Sequence, residues 1–525
     1  MINKKLHPVM LVGTGSDVGK SVIATALCRI FLQDGYSPAP FKAQNMALNS
    51  YATPEGLEIG RAQAVQAEAA RVPCHTDMNP LLLKPNSEHT TQVVLNGKPI
   101  GNRSAYEYFR KEGREELRQA VCEAFDRLSA RYNPIVMEGA GSVSEINLRD
   151  SDLVNMPMAR HANADVILVA DIDRGGVFAS TYGSIMLQTP EDRARIKGII
   201  VNKFRGDLRL FESGKKMLED LCRVPVLGVV PMFKDIVIEE EDSVELEQKH
   251  RSLQQGKVNI AVVLLRHISN FTDFNVLERD PRVNLFYTNN IKDFEKADII
   301  IIPGTKATLD DLYELRRNGV AQAIIRAHRN GTLIIGICGG YQMLGQTISD
   351  PDGIEGSIPQ LPGLGLLNIS TVMTAEKTTK QVEFEFEGKM CKGYEIHQGR
   401  TEECTKDNRG TNDNVQCTIS SDHQQPTPAT QHLSPNTHQP SPITQSNNCI
   451  GTYIHGFLDN PSVIEFILKG KAEKTDQPIQ NETYEEFKDR QYDLLAEHVR
   501  KYVDLEKLYK IIKEAPQPPK GEHSI

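Results

Sequence analysis

The chain has 525 residues, of which 39% are hydrophobic and 25% are charged, and its formal net charge is −9. This length exceeds what a single hydrophobic core supports, so the composition indicates a globular protein of two or three domains. A negative charge balance without a basic block argues against nucleic-acid binding as the main function.

Membrane insertion and export are not expected from the sequence. No apolar run approaches the roughly 20 residues that a membrane-spanning helix needs. The apolar run that follows Lys4 and Lys5 stops at Gly13, which is too early for a signal peptide. The nine cysteines include no CxxC pair, so we expect reduced thiols in a cytoplasmic protein.

A phosphate-binding loop is predicted directly after the first strand, residues 7–12. The segment GTGSDVGKS follows this strand, and apolar side chains then recur at helical spacing to residue 33. A strand, a glycine-rich loop, a Lys-Ser pair and a helix in this order predict a P-loop for ATP, because loop and helix N–H groups cradle phosphates. The expected ATP contacts are Gly15, Val18, Gly19, Lys20 and Ser21. Ser21 is also expected to bind Mg²⁺.

Strands and helices then alternate as in a doubly wound parallel sheet. Strands are predicted at residues 134–137, 165–170, 196–201 and 224–230. Glu138 ends the first of these, where a carboxylate beside a P-loop can hold Mg²⁺, although a solvated loop acid is the alternative. Asn202 follows the strand at 196–201 and could read the edge of a nucleotide base.

The segment FKAQNMALNS, residues 41–50, is dense in amides and follows a predicted second strand. Lys42, Gln44 and Asn45 could hold a polar, carboxylate-bearing substrate near the outer phosphate of ATP. The same segment could equally cap a helix, and the sequence leaves both interpretations open.

The periodic pattern breaks at the acidic and polar residues 236–256, which we predict to be a linker. The predicted domains are an ATP-binding synthetase domain at 1–235 and a second domain at 257–500, followed by a tail at 501–525. Residues 402–448 are crowded with Asn, Gln, Ser, Thr, Pro and His, so we expect a disordered surface insertion there.

Cys338 lies at the centre of the second domain, in TLIIGICGGYQML, residues 332–344. Glycines on both sides permit a sharp strand-to-helix turn that lifts one side chain out of the sheet. A helix N-terminus favours negative charge, and the thiolate is the nucleophilic form of cysteine. A small buried core residue is the alternative. The flanking glycines favour a nucleophile.

A thiolate that attacks an amide carbonyl needs N–H donors for the oxyanion and a base for the proton. The expected donors are the backbone N–H of Gly339 and one from the loop at Gly304. Two histidines are candidates for the base: His455 in GTYIHGF and His397 in GYEIHQG. A P-loop and a thiol site in one chain together suggest amide synthesis, in which ATP activates a carboxylate and glutamine supplies ammonia.

Eight segments carry a resemblance to a known family: GTGSDVGKS, FKAQNMALNS, EGAGSVSEINL, VADIDRGGVFAS, IVNKFRGD, GICGGYQMLG, GYEIHQG and GTYIHGF. In this order, over essentially the whole chain apart from the insertion and the tail, they resemble the cobyric acid synthase family of cobalamin biosynthesis. The resemblance implies an α/β fold with two parts. One is a dethiobiotin-synthetase-like P-loop domain with a doubly wound sheet, and the other is a flavodoxin-like class I glutamine amidotransferase domain.

The resemblance further implies amidation of adenosylcobyrinic acid a,c-diamide at its b, d, e and g carboxylates, with ATP, Mg²⁺ and glutamine. It implies that Cys338 is the nucleophile and His455 its base. Phe457 stands where triad amidotransferases carry a glutamate, so the third member is unidentified, and Gln398 stands where the family more often has Met. The alternatives are the similar cobyrinic acid a,c-diamide synthase, CTP synthase, and a P-loop switch ATPase fused to an inactive amidotransferase fold. The missing His-x-Glu ending argues against CTP synthase.

Overall fold

The computed structural model describes residues 5–85, 90–104, 114–239, 253–404, 442–471 and 482–513. These residues form two compact units. The first contains the described residues up to 239 together with 482–513, and the second contains 253–404 and 442–471.

A six-stranded, wholly parallel sheet forms the centre of the first unit. Its strands, from one edge to the other, are Val226–Pro231, Ile196–Phe204, Asp165–Asp171, Val9–Gly13, Ile135–Glu138 and Ala39–Phe41. Every residue of Asp165–Asp171 is buried, as expected for a parallel strand that is covered on both faces. The doubly wound sheet predicted for this part of the chain is therefore confirmed.

Helices cover both faces of this sheet, and shorter strands form two separate sheets. The α-helices are Lys20–Gln33, Arg61–Ala69, Arg114–Ser129, Met156–His161, Val177–Met186, Pro190–Arg195, Glu212–Cys222, Tyr484–Tyr502 and Leu505–Lys513, and the 3₁₀ segments are Thr76–Met78, Ile146–Ser151 and Leu208–Phe211. A four-stranded sheet contains Gln44–Met46, Leu81–Pro85, Thr90–Leu95 and Lys98–Ser104, and a two-stranded sheet contains Ser50–Ala52 and Glu58–Gly60.

The C-terminal helices correct the predicted domain boundary at residue 500. Tyr484–Tyr502 packs on the P-loop helix Lys20–Gln33, where Arg29 forms an ion pair with Asp489. Leu495, Ala496 and Val499 complete the apolar core on that face of the sheet. The amphipathic pattern of this helix is visible in the sequence, but the pattern does not show which sheet the helix packs on.

The start of the predicted linker also belongs to the first unit. Glu239 accepts hydrogen bonds from Arg61 Nε at 2.7 Å and from the Tyr484 hydroxyl at 3.0 Å. The rest of the predicted linker up to residue 252 lies outside the described residues.

The second unit contains a six-stranded sheet with five parallel strands and one antiparallel edge strand. Its strands, in spatial order, are Val283–Thr288, Val258–Val263, Ile299–Ile302, Leu333–Ile337, Cys449–Thr452 and Ile443–Ser446. The parallel strands follow the order 2-1-3-4-5, which is the flavodoxin-like order. Its α-helices are Asn275–Arg279, Ile291–Phe294, Thr308–Arg317, Val320–Arg329, Gly339–Met343 and Pro461–Leu468, with 3₁₀ segments at Phe271–Phe274 and Phe457–Asp459.

Two smaller sheets complete this unit, one five-stranded and mixed and the other two-stranded and antiparallel. The five-stranded sheet contains Gln360–Pro362, Thr347–Ser349, Ile369–Phe386, Lys389–Glu403 and Ile454–His455, and Ile268–Ser269 pairs with Gly304–Thr305. The bounds predicted for the insertion, 402–448, are therefore too wide, because the strand Lys389–Glu403 enters that range and Ile443–Ser446 lies inside it. Residues 405–441 lie outside the described part of the chain.

The cysteines at 28, 74, 122, 222, 338, 391 and 449 are free thiols, as expected. Cys404 differs from that expectation because it is disulfide-bonded. Within the described ranges, no helix combines the length and the apolar character that crossing a bilayer requires.

Candidate active sites

The loop between the first strand and the first helix has the compact shape that the P-loop pattern predicts. Gly19 has a φ of 93°, and a Cβ there would lie 2.1 Å from Asn202 Nδ2, so only glycine fits. Lys20 Nζ donates to the carbonyl oxygens of Gly15 and Gly141, each at 3.0 Å. The Lys20 ammonium therefore lies over the loop backbone, where the outer phosphates of a nucleotide would be expected.

Glu138 gathers three polar partners at the end of its strand. Its Oε1 accepts a hydrogen bond from the Ser21 hydroxyl at 2.8 Å and lies 3.0 Å from Lys42 Nζ, and its Oε2 accepts from Gln66 Nε2 at 2.7 Å. Burial raises the pKa of Glu138, but Lys42, Gln66, Ser21 and Lys20 lower it, and the net shift is downward. Glu138 is thus a buried, ionised carboxylate, and the alternative of a solvated loop acid is wrong.

The pair of Ser21 and Glu138 suits a magnesium ion, because Mg²⁺ prefers hydroxyl and carboxylate oxygens and completes its shell with phosphate and water. Within the part of the chain that the structure describes, no group of three or more His, Cys, Asp or Glu side chains is placed to hold a metal. An ion at this site would therefore depend on the nucleotide for its remaining ligands.

The other predicted site residues of this unit, Asn202, Gln44 and Asn45, make different contacts. Asn202 Nδ2 donates to the Val18 carbonyl at 2.9 Å, so this side chain holds the P-loop, and its reading of a base stays a prediction. Gln44 lines a cavity beside the P-loop, whereas Asn45 Nδ2 donates to Gln63 Oε1 at 3.2 Å. The segment that contains them continues into strands, so its alternative role as a helix cap is not observed.

Cys338 lies at a strained elbow between the strand Leu333–Ile337 and the helix Gly339–Met343. Its φ of 52° and ψ of −110° are unusual for a residue with a side chain. The glycines make this turn possible, since a Cβ at Gly340 would lie 2.0 Å from the Ile302 carbonyl oxygen. Cys338 Sγ lies 3.5 Å from the Ile396 carbonyl oxygen.

His455 is held from behind by Asp273. The distance from His455 Nδ1 to Asp273 Oδ2 is 2.7 Å, and the backbone N–H of Gly456 donates to Asp273 Oδ1 at 3.0 Å. Burial lowers the pKa of His455, whereas Asp273 and a hydrogen bond with Cys338 raise it, with a net result of about 10. The three side chains therefore form the connected series Asp273, His455, Cys338 that nucleophilic acyl transfer requires.

The rival base, His397, has both ring nitrogens engaged elsewhere. Its Nδ1 lies 2.9 Å from the Gly399 carbonyl oxygen and its Nε2 lies 3.4 Å from Glu395 Oε2. The ring also stacks on Tyr453 at a centroid distance of 3.7 Å. This geometry favours His455 as the base.

The two loops that are expected to stabilise the oxyanion converge beside these residues. A Cβ at Gly304 would lie 3.3 Å from His455 Cε1, and a Cβ at Gly339 would lie 2.6 Å from Thr305 Cγ2 and 3.1 Å from Thr305 N. Neither position leaves room for a larger side chain without movement. The donor roles of Gly304 and Gly339 remain predictions.

Asp273 is the functional residue that sequence reasoning missed. It lies 182 positions before His455 and follows the first strand of the unit, whereas triad amidotransferases carry a glutamate two residues after the histidine. The residues of the thiol site follow the carboxyl ends of neighbouring parallel strands, which is where such sheets place their sites. The order of strands, rather than a local motif, brings Asp273 to His455.

Comparison with known proteins agrees with this division of the chain. Residues 9–245 match the family model described as a CobQ/CobB/MinD/ParA nucleotide binding domain, and residues 259–463 match a CobB/CobQ-like glutamine amidotransferase domain. A protein of Bacteroides fragilis named cobyric acid synthase is 66% identical over 513 residues, covering 97% of this chain and 99% of its own length.

Two further proteins of that name match with similar coverage. The one from Phocaeicola vulgatus is 65% identical over 97% of this chain and 99% of its own length. The one from Parabacteroides distasonis is 55% identical over 98% of this chain and 100% of its own length. The chain belongs to the cobyric acid synthase family.

Proposed function

We propose that this chain converts adenosylcobyrinic acid a,c-diamide to adenosylcobyric acid by amidating its b, d, e and g carboxylates, with ATP and glutamine as co-substrates. The observation that carries the proposal is the presence, in one chain of this family, of a P-loop site and of the series Asp273, His455, Cys338. A reaction that consumes ATP and glutamine suits a cytoplasmic protein.

In the second unit, the proposed reaction is release of ammonia from glutamine. His455 takes the proton of the Cys338 thiol, and the thiolate attacks the side-chain amide carbon of glutamine. Backbone N–H groups of Gly339 and of the loop at Gly304 stabilise the oxyanion, and His455 returns the proton to the departing ammonia. Asp273 fixes the ring orientation and stabilises the imidazolium. Water then hydrolyses the thioester to glutamate and restores Cys338.

In the first unit, the proposed reaction is activation of the acceptor. A carboxylate is a poor electrophile, and transfer of the terminal phosphoryl group of ATP converts it to an acyl phosphate with a good leaving group. Gly15, Val18, Gly19 and Lys20 hold the phosphates, and Asn202 faces the base. Lys42, Gln44 and Asn45 hold the acceptor carboxylate. Ammonia then displaces phosphate and forms the amide.

Ser21 and Glu138 would hold Mg²⁺, which when bound neutralises phosphate charge. The proposed role of Lys42 depends on the same residues. Its ammonium pairs with Glu138 at 3.0 Å, so a cation on Glu138 would compete with Lys42 for this carboxylate.

The test is mass spectrometry of the corrinoid after incubation with the enzyme, ATP, Mg²⁺ and glutamine. The proposal expects conversion of the a,c-diamide to a product with four additional amides, and no conversion without ATP. An enzyme that instead adds two amides to the fully acidic precursor and leaves the a,c-diamide unchanged would be a cobyrinic acid a,c-diamide synthase, and the proposal would fail.

A further inference from the structure

A cavity of about 230 Å³ opens beside the P-loop of the first unit. Gly141, whose carbonyl oxygen accepts a hydrogen bond from Lys20, forms part of its wall, and so does Gln44. A second cavity of about 690 Å³ shares Arg149 and Arg160 with it, so the two adjoin. Together they form a depression that starts beside Gly141, and we call it the acceptor cavity.

Two large aliphatic side chains stand exposed on the wall of the acceptor cavity. Ile146 is 49% exposed and Leu148 is 40% exposed, and both belong to the 3₁₀ segment Ile146–Ser151, in which no residue is buried. Exposed aliphatic side chains that line a cavity with polar groups are typical of sites that receive a partly apolar ligand.

The acceptor cavity carries both charges: Glu145, Asp150, Asp152 and Glu191 line it, and so do two arginines, Arg118 and Arg149, that form no ion pair within the described ranges. The Arg149 guanidinium donates to the Leu187 carbonyl at 2.7 Å. Arg160, by contrast, is bound to Asp192 at 2.5 Å. A guanidinium without an acidic partner is available to bind a carboxylate.

We propose that the acceptor cavity binds the edge of a large, partly apolar ring that carries several carboxylates, with the ring face on Ile146 and Leu148 and neighbouring carboxylates at Arg118 and Arg149. This inference rests on the proposed function, and the ring is then the corrin of the acceptor. A corrin is larger than the cavity beside the P-loop, so only one edge of it enters, and the carboxylate at that edge is directed toward Lys20.

The contacts of the acceptor cavity also suit a substrate that must bind in several orientations. One catalytic site that amidates four carboxylates has to receive the same ring rotated or displaced for each of them. Apolar contact with Ile146 and Leu148 has little directional preference, and arginines that form no ion pair within the described ranges can follow carboxylates to different positions. A set of locked, directional hydrogen bonds would instead select one carboxylate and exclude the others.

The first experiment measures binding of the a,c-diamide corrinoid by equilibrium dialysis to the full-length double variant Ile146→Ser, Leu148→Ser. We expect corrinoid Kd to rise about tenfold or more, because two aliphatic contacts are lost. ATP Kd and the rate of glutamine hydrolysis should stay at wild-type values, which also verifies folding. The matched control is Leu210→Ser, which removes a leucine that is 82% exposed on another 3₁₀ segment of the same unit, and it should leave corrinoid binding unchanged.

The second experiment follows the partially amidated products of Arg149→Ala and Arg149→Lys. We expect both variants to accumulate intermediates with one to three new amides, Arg149→Ala more than Arg149→Lys, while ATP Kd is unchanged. If the double variant binds the corrinoid with the wild-type Kd and Arg149→Ala gives the wild-type series of products, the proposed role of the acceptor cavity is overturned. The proposed function is not affected by that result. A wild-type enzyme that neither binds nor amidates the corrinoid would overturn the proposed function as well.

Discussion

The P-loop site and the thiol site lie at the same kind of place but are built in different ways. Both occupy the carboxyl ends of strands in a parallel sheet. The P-loop site draws most of its residues from one continuous stretch, residues 13–21. The thiol site takes Asp273, Gly304, Cys338 and His455 from four segments that are distant in sequence. A site that is continuous in sequence can be recognised from a motif, whereas a site assembled by topology requires the sheet order.

The two sites also differ in how charge is managed. The P-loop site holds the ammonium groups of Lys20 and Lys42 around one buried carboxylate, Glu138, which suits an anionic nucleotide. The thiol site holds one carboxylate, Asp273, behind one imidazole, and that arrangement raises the pKa of His455. The charges of the first site therefore favour an anionic ligand, and those of the second favour a protonated imidazole.

Lys20→Ala should have the largest effect, because it removes the cation that lies over the phosphate-binding loop. We expect amidation to fall by about a thousandfold or more with either glutamine or ammonia as nitrogen source. Glutamine hydrolysis measured without ATP should persist. Lys216→Ala, which changes an exposed lysine of the same unit, is the control. Ammonia-driven amidation near the wild-type rate would contradict the assignment of the ATP site.

Asp273→Asn should damage only the thiol site. We expect the glutamine-driven rate to fall by about 10²- to 10⁴-fold, because the imidazole loses its orientation and the charge that stabilises its protonated form. The ammonia-driven rate should be unchanged, and equal loss of both rates would show that Asp273 is needed only for folding.

The same variant has a predicted pH signature. In the wild type, the pKa of His455 is raised from 6.5 to about 10, so the stability it contributes is complete below pH 6.5 and is lost as the pH rises through about 10. Asn at position 273 lowers this pKa, so the alkaline loss of glutaminase activity and of stability should move to lower pH. A pH–rate profile with the same alkaline limit in both proteins would contradict the pairing.

Alanine at the two glycines of the thiol site should give smaller, graded effects. A Cβ at Gly339 would lie 2.6 Å from a carbon of Thr305, whereas the nearest atoms to a Cβ at Gly304 are 3.2 Å away. We therefore expect Gly339→Ala to lower the glutamine-driven kcat about 10²-fold, and Gly304→Ala to lower it about tenfold. The reverse order, measured under glutamine saturation, would count against the shared oxyanion role.

Shortening the polar insertion should have the smallest effect. Replacing residues 406–440 with a short Gly-Ser linker removes none of the described site residues, so both rates should stay within about twofold of wild type. Extending the deletion through Gln445 removes part of the edge strand Ile443–Ser446 and the 2.7 Å hydrogen bond between Tyr341 and Thr444. The longer deletion should therefore lower the melting temperature, and equal stability of the two deletions would contradict the structural role of this strand.

The sequence supports prediction where the determining interactions are local. The P-loop, the Cys338 elbow and the strands around them depend on glycine positions and apolar runs, and the structure contains all of them. The sequence predicts Glu138 at the end of its strand. It does not predict the contacts of Glu138 with Lys42 and Gln66, because these contacts join segments that are distant in sequence.

Long-range packing accounts for what the sequence did not reveal. The helix Tyr484–Tyr502 was expected in the second domain, yet its apolar side chains complete the core around the P-loop helix. Asp273 was missed because the acid that orients His455 comes from the opposite end of the unit's sequence. In both cases the two interacting segments are distant in sequence, and the residues next to either segment carry no pattern that identifies the other.

The central claim is that ammonia released at Cys338 becomes the amide formed at the P-loop site. The most direct test supplies amide-¹⁵N glutamine together with unlabelled ammonium to the wild type and to Cys338→Ala, with Cys122→Ala as a control for another free thiol. We expect ¹⁵N in the corrinoid amides that the wild type and the control make. We expect Cys338→Ala to keep its ammonia-driven rate and to make corrinoid amides that contain only ¹⁴N. Incorporation of ¹⁵N by Cys338→Ala would contradict the central claim.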